Sequence, residues 1–383
     1  MPRLIDLSGV PGDCGLQHGR MLSDQLASPF LDLFVDSFCA VKRCPRDAMV
    51  EQARIWRQRL PEHFREEMDG MARGGRVPQE SVDLYLFADI AAPADPIGPG
   101  QHDPDRISTA DEPAADERAP VDGPMCSGIA TELDGRPWVA RNCDWYRRLL
   151  RRGTAAVVHR VPGRIPVMAL GIHGDIDCDT GVNAERLWMH IHTLHATDTP
   201  PSGRSNISWL FWCREALETC ASLDELERFI ASTTRDRGVI VFAADGKTGD
   251  RAIFECGRAM HERFDATDPG ETLFACNHKR DKHPTDPGRL SRSRPASTTR
   301  RHERLRSILS ARAPEPLHPE HGPDDLIDVL ADEDVEMRTP PELRTIYSAV
   351  CEPADGRVWF SSGAEDGAPA ASCGSWERVP WPF

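Results

Sequence analysis

The sequence predicts an α+β protein whose strands are mainly antiparallel. Three observations support this class. The first 90 residues carry apolar side chains mostly at helical spacing, residues 127–194 are dominated by short strand-like runs, and the later part of the chain mixes helices with strands that turn at Asp245-Gly246. Segregated runs of helices and strands, rather than strict alternation of the two, are typical of α+β folds.

Three helices are predicted in the first quarter of the chain, over residues 24–41, 46–60 and 81–90. The first of them repeats its apolar residues at three- and four-residue intervals, at Leu26, Phe30, Leu33, Phe34 and Phe38. This spacing gathers apolar side chains on one helix face. We therefore expect a helical N-terminal segment.

A long linker is predicted to follow over residues 91–124, where Pro, Ala, Asp and Gly dominate and few apolar residues could anchor a core. Cys126 stands where this loose segment ends and a strand begins. Such a position suits a thiol that becomes a new N-terminus when the chain is cut before it.

The first hairpin of the chain is predicted directly after Cys126. Apolar and polar residues roughly alternate up to Leu133, and Asp134-Gly135 supplies a two-residue type I′ turn. Antiparallel pairing across one turn brings the two ends of a hairpin together. We therefore expect Arg141, Asn142 and Asp144 to return to the neighbourhood of Cys126.

The remaining elements are predicted in a mixed order. Strands are expected over 154–161, 166–172, 186–194, 239–243, 251–255, 272–276, 345–351 and 357–361. Helices are expected over 206–220, after Ser222, over 299–309 and over 324–330. The helix after Ser222 carries a capping-box pattern, because Glu225 follows three positions later. Residues 280–299 are polar and are predicted to form a flexible loop.

Composition excludes several classes of partner. A formal net charge of −15 argues against nucleic acid or an anionic membrane surface. No stretch approaches 18 consecutive apolar residues, so no membrane span is expected, and residues 1–6 lack the pattern of a secretory signal. Twelve cysteines without a C-x-x-C pair favour a reduced, cytoplasmic protein.

Neither a cofactor nor a metal is expected. Gly246-Lys247-Thr248 is not a phosphate loop, because Val241 occupies the required upstream glycine position. His190 and His192 lie two apart on a predicted strand, with His195 close by, but no carboxylate or cysteine falls at a supporting interval. Substrate contact or packing explains these histidines better than metal binding.

Several motifs together resemble the isopenicillin N acyltransferase-like family, a branch of the N-terminal-nucleophile hydrolases related to choloylglycine hydrolases. The strongest is Cys126 followed by the Asp-Gly turn and Arg141-Asn142-Cys143-Asp144-Trp145, with Arg141 15 residues and Asp144 18 residues after the cysteine (141 − 126 and 144 − 126). Weaker matches run in the same order along the chain: Gly9 to Gly19, Thr180 to Asn183, Cys276-Asn277-His278 and Arg344 to Ser348.

The resemblance implies a four-layer αββα sandwich formed by one compact unit. It also implies self-processing: residues 1–125, ending in the 91–124 linker, would be cut from the catalytic part 126–383, leaving two chains of one precursor. Glycine is common in the family before the cysteine, where this chain has Met125. The expected enzyme is a cysteine amidohydrolase or acyltransferase that acts on a linear amide of a small N-acyl compound.

Four residues are expected to carry the catalysis. A thiol with a pKa of about 8.5 is mostly protonated at neutral pH, but the α-amine of an N-terminal Cys126, with a pKa of about 7.7–8.0, can accept its proton. Arg141 would favour the thiolate, and Asp144 would hold the α-ammonium. Asn277 would stabilise the oxyanion through its amide N–H.

Three further residues are assigned to the substrate side of the site: Asn142, Trp145 and Arg301. Asn142 is also suited to secure the local backbone, and Trp145 to pack beneath the site. The second arginine of the family's site could be Arg300, Arg301 or Arg304.

Alternatives remain open for the residues and for the function. Arg141 and Asp144 could be a surface ion pair, and Asn277 could satisfy strand-end backbone groups. His278, 152 residues after Cys126 (278 − 126), allows a papain-like enzyme, although Cys126 begins a strand and not a helix. Acyl transfer from acyl-CoA or an amide to an amine competes with hydrolysis, and a non-catalytic binding protein could share the scaffold.

Overall fold

The computed structural model describes residues 3–90, 125–196, 198–200, 206–280, 293–311, 323–338, 343–363 and 369–383. The predicted linker 91–124 and most of the predicted loop 280–299 therefore lie outside the described residues.

The N-terminal segment is helical, as predicted, after one short strand. Its elements are β1 (Arg3–Ser8), α1 (Pro11–Met21), α2 (Ser23–Leu26), α3 (Phe30–Lys42), α4 (Arg46–Gln58), α5 (Glu62–Gly75) and α6 (Gln79–Phe87). The single helix predicted over 24–41 is wrong, because α2 and α3 are separate. Pro29 lies between them; it has no N–H for a helical hydrogen bond and disfavours helical geometry at the residue before it. Helices α1 and α5 had not been predicted.

Glycines let α1 and α5 pack backbone against backbone. A Cβ at Gly15 would lie 1.8 Å from the Glu67 carbonyl oxygen, and one at Gly19 would lie 2.1 Å from the Met71 carbonyl oxygen. The facing glycines of α5, Gly70 and Gly74, approach α1 equally closely. The glycine-rich motif near the N-terminus is thus required by a helix crossing that leaves no room for side chains.

An eight-stranded sheet forms one half of the β-structure. Its order is β1, β4 (Thr154–Arg160), β5 (Val167–Ile172), β6 (Thr180–Asn183), β7 (Leu187–Leu194), β10 (Gly238–Asp245), β11 (Arg251–Cys256) and β12 (His261–Asp265). Only the β1–β4 pair in this sheet is parallel. A separate short parallel pair joins β8 (Asn206–Ile207) to β9 (Thr234–Arg235).

A six-stranded antiparallel sheet forms the other half and contains the hairpin that begins at Cys126. Its order is β13 (Leu273–Ala275), β2 (Met125–Leu133), β3 (Arg136–Tyr146), β14 (Leu343–Glu352), β15 (Arg357–Ser362) and β16 (Glu377–Val379). Asp134 and Gly135 both have positive φ (54° and 71°), as the predicted type I′ turn requires.

The two sheets face each other, because β2 contacts β7, β10 and β11. Helices α7 (Trp209–Thr219) and α8 (Leu223–Ser232) pack on the eight-stranded sheet, and α9 (Ser293–Ala311) and α10 (Asp324–Leu330) pack on the six-stranded sheet. One apolar core lies mainly between the sheets and under the N-terminal helices, and a second lies beneath α9 and α10. The predicted four-layer αββα architecture is therefore confirmed.

Two details of the helices bear on the sequence predictions. Ser222 caps α8 by accepting a hydrogen bond from the Glu225 amide, as the capping-box pattern predicts. Helix α9 begins at Ser293, so the predicted loop is wrong over 293–299. In the described part of the chain, no helix combines the length and apolar character needed to cross a membrane.

We predict that Gly15→Ala destabilises the protein by about 2 kcal/mol or more, because its methyl group would meet backbone that cannot move aside. Gly12→Ala is the matched control on the same helix. A Cβ there lies 3.1 Å from the end of the flexible Arg73 side chain, so this variant should be as stable as wild type or slightly more stable. Chemical denaturation measures both, and equal stabilities would contradict the tight crossing.

Candidate active site

The pairing of β2 with β3 assigns each candidate residue to one of two sheet faces. Cys126 lies opposite Cys143, and Gly128 lies opposite Arg141, so these side chains point toward the eight-stranded sheet. We call this the inner face. Because side chains alternate along a strand, Asn142 and Asp144 point the other way, toward α9 and α10, on the outer face.

The Cys126 sulfur is held on the inner face by Arg141, which is fully buried. The Arg141 guanidinium donates to the Cys126 Sγ at 3.1 Å, to the Asp179 carbonyl oxygen at 2.7 Å and to the Thr180 hydroxyl. The guanidinium also lies over the Tyr347 ring, 5.4 Å from its centroid. One buried cation thus connects the thiol to the facing sheet.

The electrostatics around Cys126 favour its thiolate. Burial by itself would raise the pKa of the Cys126 thiol, but a hydrogen bond with Cys143 and the charge of Arg141 bring it below its usual value. The pKa of Cys143 is raised well above its usual value by burial and by the Cys126 sulfur. Cys143 therefore stays a protonated thiol with two nearby acceptors, the Cys126 sulfur and the Asp179 Oδ2, which lies 3.5 Å from the Cys143 Sγ.

The backbone of Cys126 is held by two other buried side chains. Its N–H donates to the Asn277 Oδ1 at 2.8 Å, and its carbonyl oxygen accepts from Arg301. Arg301 also donates to the Asn277 Oδ1 at 3.0 Å and to the Ser127 hydroxyl at 2.9 Å. The nitrogen, carbonyl and sulfur of Cys126 thus each have a separate partner.

Of the three arginines considered from the sequence, Arg301 is the one that reaches this site. It is fully buried, whereas the side chains of Arg300 and Arg304 are 55% and 43% exposed and pair with acidic residues near the surface. The three share one helix, α9, and only its position against β2 distinguishes them.

Asn277 contacts Cys126 through its oxygen and not through its amide N–H. The Nδ2 donates to the Thr193 carbonyl oxygen at 2.9 Å and lies 3.3 Å from the Thr193 hydroxyl. In the uncut chain, then, the amide hydrogens of Asn277 are directed at β7. The predicted oxyanion role requires this amide to turn toward the substrate.

Asp144 has one buried oxygen without a hydrogen-bond partner among the described residues. Its Oδ1 accepts from the Thr345 hydroxyl at 2.7 Å, while its Oδ2 lies 3.7 Å from the Arg301 guanidinium and accepts no hydrogen bond. Burial raises the pKa of Asp144 to about 6, although Arg301 and Thr345 oppose this shift. An unsatisfied buried carboxylate oxygen is ready to accept from an additional donor.

A β-bulge explains how β14 serves both faces. The pairing with β3 shifts between Thr345, which lies opposite Asp144, and Tyr347, which lies opposite Cys143. On a regular strand, residues 345 and 347 would point to the same face because they are two positions apart. The bulge instead directs Thr345 to the outer face, at Asp144, and Tyr347 to the inner face. The Tyr347 hydroxyl bonds to Asp179 and lies 2.8 Å from the Thr180 hydroxyl.

The other two substrate-side residues differ in position. Asn142, on the outer face, donates to the Leu330 carbonyl oxygen at 2.9 Å and accepts from Ser348 at 2.7 Å, so it fastens α10 to the sheet. Trp145 is buried and stacks on Trp209 with a centroid distance of 5.7 Å. It also lines a cavity on the inner face.

The histidines near the site are neutral packing groups. Burial lowers the pKa of both His190 and His192 well below the usual value. A Cβ on Gly128 would lie 2.8 Å from the His190 Nε2, so glycine is needed there for the sheets to approach. The Nδ1 of His278 lies 2.9 Å from the Thr298 hydroxyl oxygen.

The sequence patterns did not single out Cys143, Thr180 or Tyr347 as site residues. Cys143 and Tyr347 lie inside quoted motifs, and Thr180 begins one, so the motifs themselves were the available signal. One group in the described residues has metal-ligand spacing: His63, Glu215 and Glu218. Arg164 lies 3.0 Å from each of the two carboxylates, so a guanidinium already fills that position.

Comparison with known proteins gives one extensive sequence match. The family model of acyl-coenzyme A:6-aminopenicillanic acid acyl-transferase matches residues 131–366, which is more than half of the 383 residues. The match begins five residues after Cys126 (131 − 126) and includes Arg141, Asp144 and Asn277. No curated protein matches the chain.

Solved structures give weaker similarities. A mutant of conjugated bile acid hydrolase from Clostridium perfringens is 12% identical with a TM-score of 0.41, covering 67% of this chain and 97% of that chain. The Caenorhabditis elegans ortholog of N-acylethanolamine-hydrolyzing acid amidase is 14% identical with a TM-score of 0.43, covering 67% and 100%. Penicillin V acylase from Agrobacterium tumefaciens is 13% identical with a TM-score of 0.39, covering 62% and 83%. The family assignment rests on the sequence match.

We predict that Cys143→Ala raises the pKa of Cys126, because a hydrogen bond that favours the thiolate is lost. Cys143→Ser keeps a donor and should shift the pKa less. The ultraviolet absorbance of the thiolate, followed against pH and corrected with the same variant carrying Cys126→Ala, isolates this group. An unchanged pKa in Cys143→Ala would show that Cys143 does not donate to Cys126.

Proposed function

This chain belongs to the acyl-coenzyme A:6-aminopenicillanic acid acyl-transferase family, and we propose that it is a self-processing cysteine amidohydrolase. Its substrate would be a small N-acyl compound whose linear amide C–N bond is cleaved. The observation that carries the proposal is the arrangement at Cys126, where sulfur, nitrogen and carbonyl are held by Arg141, Asn277 and Arg301 respectively. A structural cysteine does not need three buried polar partners.

The first stage is cleavage of the chain before Cys126. The sulfur attacks the Met125 carbonyl carbon, the Met125–Cys126 C–N bond breaks, and the leaving nitrogen takes a proton to become an α-amine. Water then hydrolyses the thioester, giving a Met125 carboxylate and a free Cys126 thiol. Asn277 accepts a hydrogen bond from the Cys126 N–H, and Arg301 donates one to the Cys126 carbonyl oxygen. These two contacts would keep the new terminus in position.

The second stage is turnover of substrate. The α-amine of Cys126 accepts the thiol proton, and the thiolate attacks the substrate carbonyl. The Asn277 amide, released from Thr193, would donate to the oxyanion. The amine product leaves with a proton, and water releases the acyl group from the Cys126 sulfur.

Asp144 acquires its role only after the cut. In the uncut chain its Oδ2 accepts no hydrogen bond from the described residues and lies beside Arg301. A new ammonium at Cys126 would supply the missing donor and would lower the pKa of Asp144 from about 6. We therefore propose that Asp144 orients the α-amine.

The two parts of the precursor would remain together after cleavage. Phe38, from the N-terminal part, meets the Tyr146 ring edge-on at a centroid distance of 5.4 Å. Lys42 donates to the Asp89 carbonyl oxygen at 2.8 Å and lies 5.6 Å from the centroid of the same Tyr146 ring. We propose one compact unit made of residues 1–125 and 126–383. All twelve cysteines are free, which supports a cytoplasmic location.

Acyl transfer to an amine is the second candidate, because the matched family is named for an acyl-transferase. The acyl donor would be an acyl-CoA or an amide. We favour hydrolysis, since water at about 55 M needs no pocket whereas an amine acceptor must be bound to compete with it. Capture of most of the acyl group by a millimolar amine, read by mass spectrometry, would favour transfer instead.

We predict that Asp144→Asn lowers turnover at least about 100-fold, equivalent to about 2.7 kcal/mol in the barrier. Asparagine keeps the acceptor for Thr345 but not the charge that orients an ammonium. Thr345→Val is the control and should lower turnover less, because it keeps the Asp144 charge while removing the hydroxyl that donates to Asp144 and accepts from the Met337 N–H at 2.9 Å. Unchanged turnover in Asp144→Asn, or a loss explained by unfolding, would return Asp144 to a structural role.

The same variant should change stability with a defined pH dependence. In the uncut Cys126→Ala background, Asp144→Asn should raise the free energy of unfolding above about pH 6, where the buried carboxylate is ionised at a cost. The gain should shrink as the pH falls from 6 and vanish below about pH 3, because the carboxyl is then protonated in both the folded and the unfolded chain. Denaturation at several pH values measures this difference, and a gain independent of pH would contradict the raised pKa.

A further inference from the structure

A cavity on the inner face lies next to the proposed nucleophile and is lined by four carboxylates. Its empty volume, including the part open to solvent, is about 320 Å³. The acidic residues that line it are Asp89, Asp175, Asp177 and Asp179. The rest of the lining consists of Cys143, Tyr347 and the apolar residues Trp145, Leu149, Ile172, Leu210 and Ile346.

We propose that this cavity binds a primary alkylammonium group, so that the preferred amide substrate carries a cationic amine on one side of its scissile bond. The inference deepens the proposed function, because it names the substrate class of the same site.

Three of the four carboxylates already have a cation nearby. Asp175 forms an ion pair with Arg152, and Asp179 lies 3.5 Å from Arg141. Lys42 and Arg152 act on Asp89, and both lower its pKa against the effect of burial. Among the described residues, these nearby cations therefore leave one of the four carboxylates without a counter-charge.

Asp177 is the carboxylate without a partner. It is only 7% exposed, and no hydrogen bond or ion pair joins its side chain to another of the described residues. The charged neighbours that act most strongly on it are Asp175, Asp89 and Asp179, and with burial they raise its pKa well above the usual value. A buried carboxylate of this kind needs a proton or a bound cation, and a ligand ammonium would meet that need.

The walls of the cavity favour an organic cation over a metal ion. Calcium and magnesium need several converging oxygen ligands, whereas most of the remaining lining is apolar. In the part of the chain that the structure describes, the cavity carboxylates do not form a three-membered group within 4.8 Å of one another, as His63, Glu215 and Glu218 do. Trp145 in the lining adds aromatic surface, which attracts ammonium groups and packs against alkyl chains.

The cavity is lined by residues that contact Cys126 or its partner Arg141. Cys143 lines it and shares a hydrogen bond with Cys126. Tyr347 and Asp179, on the same wall, contact the Arg141 guanidinium that holds the sulfur. An ammonium at Asp177 would therefore place the attached amide toward the nucleophile.

Binding can be measured without catalysis. The full chain carrying Cys126→Ala is titrated with hexylammonium chloride and with 1-hexanol at pH 8 by calorimetry. We expect hexylammonium to bind at least about tenfold more tightly, because the alcohol has the same chain without the charge. Equal affinities would overturn the proposal, and so would Ca²⁺ that displaces hexylammonium at micromolar concentration, which would identify a metal site.

Variants assign the preference to Asp177. Asp177→Asn should reduce the difference between the two probes to less than about twofold. Asp268→Asn, which removes an exposed carboxylate outside the cavity, is the matched control for net charge and should leave the difference intact. An undiminished preference in Asp177→Asn would overturn the assignment. If Asp177→Asn does not fold, the comparison of hexylammonium with 1-hexanol on the Cys126→Ala chain still tests the proposal.

Turnover of matched amides tests which half carries the charge. The acyl arm compares 6-aminohexanoyl anilide with hexanoyl anilide, and the amine arm compares N-acetyl-1,6-diaminohexane with N-acetylhexylamine. We expect kcat/KM to favour the cationic member of one arm at least about tenfold, and Asp177→Asn to reduce this preference to less than about twofold. Equal kcat/KM values in both arms would overturn the inference but leave the proposed function standing. Binding of hexylammonium without turnover of any amide would contradict the proposed function and support the cavity.

Discussion

The antiparallel pairing of β2 with β3, in the register that sets Cys126 opposite Cys143, determines the chemistry of every other group at the site. Side chains alternate across a strand, so this register sends the sulfur and Arg141 to the inner face and Asp144 to the outer face. A slip of one residue would exchange the two faces. The type I′ turn at Asp134-Gly135 fixes the register, and the helix-covered outer face makes a slip unfavourable.

Each face of the sheet carries its own counter-charge. The proposed mechanism uses a thiolate and the Asp144 carboxylate beside one residue, and two anions raise each other's pKa unless cations balance them. Here Arg141 balances the sulfur on one face and Arg301 lies beside Asp144 on the other. The backbone of Cys126 passes between them, and its nitrogen is the one atom that chain cleavage would turn into a base and a charge.

Local patterns in the sequence predicted the hairpin, its turn, most strands and the α+β class, because period-two alternation and Asp-Gly turns act over a few residues. The four-layer architecture followed only from the family resemblance. Long-range packing was not predictable in this way. The crossing of α1 and α5 depends on glycines more than 50 residues apart, and the selection of Arg301 over its helix neighbours depends on where α9 docks. The bulge between Thr345 and Tyr347 reverses the face that alternation assigns, so the inward position of Tyr347 could not be read from spacing. The roles of Cys126, Arg141, Asp144 and Asn277 stay predictions.

The central claim is that Cys126 acts as an N-terminal residue, and intact-mass analysis of catalytically active protein tests it most directly. The proposed nucleophile requires its own free α-amine as base, so the chain must be cut before Cys126. This cut would divide the 42.6 kDa chain, in proportion to 125 and 258 of 383 residues, into pieces of about 14 and about 29 kDa. The account predicts both masses in every active preparation, a larger piece that begins at Cys126, and a single uncut chain for Cys126→Ala. A fully active enzyme that remains one intact polypeptide would contradict it.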